Sequence, residues 1–144
     1  MGVYKHLDDV PERYRLANFA SEYDDRDTWA AYVADCHANR SEYVDRMLRR
    51  FERRWKAHMV DRGRHHALAT PADIEAFCAD LVERNTLSTS YETYWLRIEA
   101  FYQWLQAHPD HPHVYHPVLM AAAVHPNAAT LWEYRIERTG VSNP

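Results

Sequence analysis

The residues best suited to chemistry in this chain are arginines set along one predicted helix. Between positions 40 and 64 the basic residues are Arg40, Arg46, Arg49, Arg50, Arg53, Arg54, Lys56, Arg62 and Arg64, against Glu42, Asp45, Glu52 and Asp61. That stretch carries +5 and the rest of the chain −9, within a total of −4. At 3.6 residues per turn, Arg46, Arg49, Arg50 and Arg53 point away from the apolar stripe of Val44, Met47, Leu48, Phe51, Trp55 and Met59. A basic row on an acidic body suits a polyanion, and guanidinium forks suit phosphate oxygens. The competing reading is a solvated face laced with ion pairs one turn apart. Glu42 to Arg46, Asp45 to Arg49 and Glu52 to Lys56 all have the favourable acid-first order. Arg50, Arg53, Arg54, Arg62 and Arg64 are left without an obvious local partner, which favours phosphate binding.

Other groups invite a chemical reading. Ser88, Thr89 and Ser90 precede a long apolar helix, where a hydroxyl caps free amides and a helix N-terminus can seat a phosphate. Arg97 lies beside that helix's aromatic face and is read either as a phosphate contact or as a partner for an acid within the shell. His108, His111, His113 and His116, with Asp110, have the letters of a metal site. Prolines at 109, 112 and 117 hold that segment extended, and no zinc spacing is met, so a solvent-facing turn is expected. Cys36 and Cys78 sit on apolar helix faces as small core residues and form no disulfide framework. With glycine only at positions 2, 63 and 140, no Gly-rich phosphate loop can be built. No cofactor and no small-molecule substrate are expected.

The elements that must position these groups read as helices. Hydrophobic residues make up 47% of the 144 and charged ones 26%, ordinary for one soluble domain. No strand-length alternation occurs, so the fold class is all-α. Residues 1–26 read as an arm with room for a helical turn, and 27–144 as the helical domain. Asp27 or Thr28 opens a helix to about Asn39; Ser41 opens the arginine helix, which Gly63 stops near Arg62. Thr70 then Pro71 begin a third, with Ile74, Phe77, Cys78 and Leu81 inward, ending near Asn85. The central helix runs from Leu87 to Gln106. Tyr91, Tyr94, Trp95, Ile98, Phe101, Tyr102 and Leu105 form one face, and Leu96, Ala100 and Trp104 the other, so protein is expected on both sides. A short helix over Val118 to Val124 follows, then a last one capped by Asn127 and closed by Gly140.

The run ATPADIEAFCADLVERNTLSTSYETYWLRIEAFYQWLQ resembles the SAM-like, core-binding domain of the tyrosine recombinases, the phage-integrase family. The family pattern is a helix with a basic outer face, a Thr-Pro-capped helix, and a Ser/Thr-opened helix closing on aromatics. It is matched by Tyr43 to Arg62, Thr70 to Asn85, Ser88 to Ser90 and Phe101 to Leu105. His116-Pro117 stands where Asn-Pro is usual, and GRHHALATP looks most like integrases of salt-loving archaea. The resemblance spans roughly Ser41 to Ala123 and implies a compact bundle of about five to six helices around a central one. It implies a domain that grips duplex DNA and carries no catalytic residue. His37-Ala38-Asn39-Arg40 matches the family's catalytic H-x-x-R box in letters, but it precedes the core-binding pattern, and so short a match arises by chance.

The expected interface is therefore Arg46, Arg49, Arg50, Arg53, Arg54, Lys56, Arg62, Arg64, His65, His66, Ser88, Thr89, Ser90 and Arg97, facing double-stranded DNA. A recombinase catalytic domain or a second copy of the chain is a further expected partner. The rival expectation is a helical module whose arginines face an acidic protein. The opening MGVYKHLDDVPERYR lacks the apolar stretch of a secretion signal, and the longest apolar run, Val118 to Val124, is too short to span a bilayer. A cytoplasmic protein with no membrane partner is expected.

Overall fold

The computed structural model describes residues 4–140, with side chains placed through Tyr134. The architecture is all-helical, with no strand among the described residues. The helices are α1 (Thr28–Cys36), α2 (Glu42–Asp61), α3 (Pro71–Arg84), α4 (residues 87–107), α5 (Pro117–Val124) and α6 (Pro126–Gly140). Each begins where its sequence signal places it within a residue or two. Asp27 accepts from Ala30 N–H at α1, and Ser41 from Val44 N–H at α2. At α3, Thr70 and Asp73 form a reciprocal capping box with Pro71 as first helical residue. Gly63 ends α2 with φ +74, a left-handed turn that a side chain would strain.

The inward faces close into one core. Leu48, Phe51, Trp55 and Met59 of α2 meet Ile74, Phe77, Cys78 and Leu81 of α3 and the aromatic face of α4. Residues 4–26 are laid over this body, in 3-10 turns at Leu7–Asp9, Glu12–Tyr14 and Leu16–Phe19 and a helical turn at Ala20–Tyr23. Val10, Leu16 and Tyr23 are each only 1% exposed, so the arm contributes to the same core as the helices.

Four local expectations are corrected. α4 opens at Thr86, whose side chain accepts from Thr89 N–H, rather than at Ser88, Thr89 or Ser90. Its residues Ser90–Trp95 form a π-helical stretch, whose wider turn buries every residue of the six except Glu92. Protein therefore surrounds the start of α4, where α2, α3 and α6 converge. Farther along, the expected second layer is absent: Leu96 and Ala100 are exposed, and only Trp104 is half covered. Cys36 is exposed because the rings of Tyr32, His37 and Trp104 fill the space at that end of α1. Asn127 is not the cap of α6. Its backbone and side-chain N–H groups, with Ala128 N–H, all donate to Glu75 of α3, which caps α6 from a neighbouring helix.

The connection between α2 and α3 is a buried loop. His66, Ala67, Leu68 and Ala69 all lie inside. A buried loop must find partners for its backbone. Trp55 Nε1–H and Tyr102 O–H both donate to His66 O, Ala69 N–H donates to Tyr102 Oη at 2.9 Å, and Ala67 O accepts from His113.

Candidate functional site

The outer face of α2 is the candidate nucleic-acid interface, and it is held by burial of the opposite face. With Leu48, Phe51, Trp55 and Met59 fixed in the core, positions 46, 49, 50 and 53 are turned to solvent by helix geometry alone. Arg46, Arg50 and Arg53 are exposed, with no ion pair or side-chain hydrogen bond among the described residues. They span about 10 Å along the helix at 1.5 Å per residue. Arg49 donates to Asp45 at 2.7 Å yet keeps 70% of its side chain in water. Asp45 also takes Arg40 at 2.6 Å, and the two arginine bonds hold its carboxyl below the usual range. Of the expected pairs along α2, Asp45–Arg49 and Glu52–Lys56 are present, whereas Glu42–Arg46 does not form. Tyr43 and Val60, 62% and 75% exposed, lie on the same helix.

Several residues grouped with this row on sequence are occupied elsewhere. Arg54 bonds to Asp80 of α3 at 2.9 Å and lies 4.9 Å over the ring of Tyr94. Lys56 bridges Glu52 and Asp27; burial alone would lower its pKa, but these two bonds outweigh it and the ammonium is stabilised. Arg62 and Arg64 both turn inward onto Asp73, a carboxylate with no exposure of its own. No partner for them is visible in the sequence because Asp73 lies 11 and 9 residues away, outside the reach of a helix-turn rule.

His66 is buried and accepts Trp29 N–H at Nε2, and burial pushes its pKa down to about 3. It is a neutral core acceptor and cannot meet a phosphate. His65, half-buried, stacks on His66 at 4.0 Å, gives Nε2–H to Arg26 O and takes Ala67 N–H at Nδ1. Ser90 is fully buried and donates to Leu81 O, Ser88 donates to Glu92, and Thr89 is half-buried. The intended phosphate seat at the start of α4 is thus reduced to the exposed Ser88, itself beside an acid. Arg97 is half-buried, its Nε enclosed without a hydrogen-bond partner, and it forms no ion pair among the described residues. His37 and Arg40 are joined to each other, Arg40 Nη1–H donating to His37 O at 2.8 Å.

The histidine loop departs most from expectation. His113 and His116 are buried, and His108 and His111 are half covered. The prolines do break the helix, but the chain folds back so that the imidazoles gather around Tyr23 and Tyr102 instead of separating. His116 caps α5, taking Leu119 N–H at Nδ1 and giving Nε2–H to Glu99 O. His113 gives Nε2–H to Ala67 O, and its Nδ1 has no partner. Among the described residues no group of histidine, cysteine and acidic side chains is disposed to hold a metal ion. Nor is any described helix long and apolar enough to cross a membrane. The gathered imidazoles were hidden in the sequence because they meet through the arm and the buried loop, both remote in the chain.

Comparison of the chain with protein-family models, curated proteins and solved structures finds no match in any of the three.

Proposed function

We propose that this protein is a non-catalytic double-stranded DNA-binding module of the tyrosine-recombinase core-binding kind, contacting phosphates through the outer face of α2. The observation that carries the reading is the row Arg46, Arg50 and Arg53, exposed and unpaired among the described residues, with Arg49 beside it. Exposed guanidiniums without an acid partner break no ion pair on meeting phosphates, whereas Arg54, Arg62 and Arg64 would first have to leave Asp80 and Asp73. The interface is accordingly narrower than the sequence suggests, centred on Arg46, Arg49, Arg50 and Arg53. Arg97, half-buried on α4 and without an ion pair among the described residues, stands apart from this row.

Phosphate contacts release condensed counterions, so binding weakens steeply with salt, by about 0.9 in the slope of log K per contact. In a duplex titration at several salt concentrations, an Arg50→Ala/Arg53→Ala double variant should bind all sequences more weakly, with a slope smaller by about two units. Unchanged affinity and slope would remove this face from the interface. A second reading is favoured by Tyr43 and Val60, since exposed Tyr and Arg together typify protein interfaces. It would be selected if an acidic polypeptide, and not duplex DNA, were bound through the same arginines. The module is further expected to leave supercoiled plasmid intact. Nicked or relaxed product that disappears on a single Tyr→Phe change would refute the non-catalytic part.

A further inference from the structure

Besides the apolar burial of Val10 and Leu16, the arm over residues 7–26 is fastened to the body by three hydrogen bonds, two of them through imidazoles. Leu16 N–H donates to Tyr115 Oη at 2.9 Å, the Tyr23 hydroxyl meets His111 Nδ1 at 2.5 Å, and Arg26 O accepts His65 Nε2–H at 2.8 Å. Tyr23 is the plug of this closure. Its ring lies 5.5, 5.8 and 6.0 Å from those of His65, His111 and His113, with the Arg26 guanidinium 4.4 Å over it. We propose that residues 7–26 are an acid-released strap, held shut by this imidazole cage while its histidines are neutral and freed when they take up protons.

The hydrogen bonding itself sets the charge state. A backbone N–H can only donate, so His65 Nδ1, which receives Ala67 N–H, must carry a lone pair. His113 spends its Nε2–H on Ala67 O, and a second proton at the enclosed Nδ1 would have no acceptor. A proton on His111 Nδ1 would leave the Tyr23 contact possible but put a cation beside Arg26. The charges that face the cage favour neutrality. Arg26 from the strap and Lys56 from α2 bear on His65 against Asp24. Arg26 and His108 bear on His111 against Asp110, and His111 and His116 bear on His113. Asp24 and Asp110 lie in water, Asp110 with 84% of its side chain exposed, where they offset an enclosed cation weakly. Burial first, then these neighbours, lower His65 and take His111 and His113 down to about 4. Tyr23, raised by burial, remains a hydroxyl throughout.

The sign follows from linkage. Lifting the strap removes Tyr23 and Arg26 from His65 and His111 and so raises them toward the ordinary value near 6.5, and the open state binds more protons below that pH. Opening then grows as pH falls, by up to about tenfold per pH unit for each imidazole involved. The test is peptide-resolved hydrogen exchange of the full chain between pH 7.5 and 5, corrected for the intrinsic pH dependence of exchange. Between pH 7 and 5.5 the strap should lose protection by at least about tenfold, while α3 and the second half of α4 keep theirs. Constant strap protection, or loss in step with α3 and α4, overturns the proposal. A His65→Gln/His111→Gln variant, which keeps polar side chains without a titrating ring, should show a weaker pH dependence of strap protection whatever its level at pH 7.5, by up to about tenfold per pH unit for each ring removed; a pH dependence equal to that of the wild type also overturns the proposal. Should that variant not fold, the wild-type contrast between strap and body decides alone.

Discussion

Asp73 shows how one side chain can serve a fold when its sequence context suggests a lesser role. It is a carboxylate with no exposure, and it accepts from Thr70 N–H and Thr70 O–H while pairing with Arg62 and Arg64. The capping-box half of that role is legible, since Thr-Pro-Ala-Asp is a local signal. The half that draws in two arginines is not, because it depends on how Gly63 turns the chain back. The lost cap is worth about 1 kcal/mol and charge-assisted hydrogen bonds about 1.5–3 kcal/mol. Asp73→Ala should therefore cost about 3 kcal/mol, clearly more than Thr70→Ala at about 1 kcal/mol. Arg62→Ala should cost less than either, as that side chain is partly in water. Urea unfolding of the three variants measures the order; equal losses for Asp73→Ala and Thr70→Ala would reduce Asp73 to a simple cap.

Among elements, those with a one-sided apolar stripe were readable and those with special backbone were not. The core faces of α2 and α3 follow directly from residues such as Phe51, Trp55, Ile74 and Leu81, because burial on one side fixes the helical phase. Gly63 and Pro71 mark real ends. The π-helical turn at Ser90–Trp95 carries no such mark; it lies where three helices, remote in the chain, meet around Tyr91, Tyr94 and Trp95. The buried loop at 66–69 is equally silent: an Ala-Leu-Ala run is as compatible with a surface turn as with a thread through the core. Likewise the arginine row is legible as a face, but which arginines remain free depends on acids brought up by α3. The cap of α6 is another long-range product and can be tested as one. Glu75 satisfies three donors at the start of α6, so Glu75→Ala should destabilise by about 1–2 kcal/mol and expose α6 amides to exchange before those of α3. Uniform loss of protection would mean that Glu75 supports the whole body and not one helix.

At the scale of the molecule, the histidines make stability depend on pH in a direction that can be worked out. His66 and His116 are both buried, each receives a backbone N–H on one ring nitrogen, and neither belongs to the arm's fastening. Burial lowers the first to about 3 and the second to about 4. A histidine depressed in the folded state contributes stability that is complete above the unfolded value near 6.5 and is lost as pH falls toward the folded value. Each can remove up to about 1.4 kcal/mol per pH unit, so the pair removes up to about 2.7 kcal/mol per unit between pH 6 and 4. The carboxylates of Asp27 and Asp45 are also lowered, but their contribution starts to fade only below about pH 5, so between about pH 6.5 and 5 the loss belongs to the histidines. Urea midpoints should be flat above pH 7 and begin to fall steeply below pH 6, before the contributions of Asp27 and Asp45 start to fade near pH 5. Asn is a strong N-cap, so His116→Asn keeps an acceptor for Leu119 N–H while removing one proton site. Its stability should decline with a slope smaller by about 1.4 kcal/mol per pH unit. An unchanged slope would mean that His116 takes no part in acid unfolding, and would leave the effect to His66, beneath Trp29 and Phe101, and to the other depressed histidines such as His58.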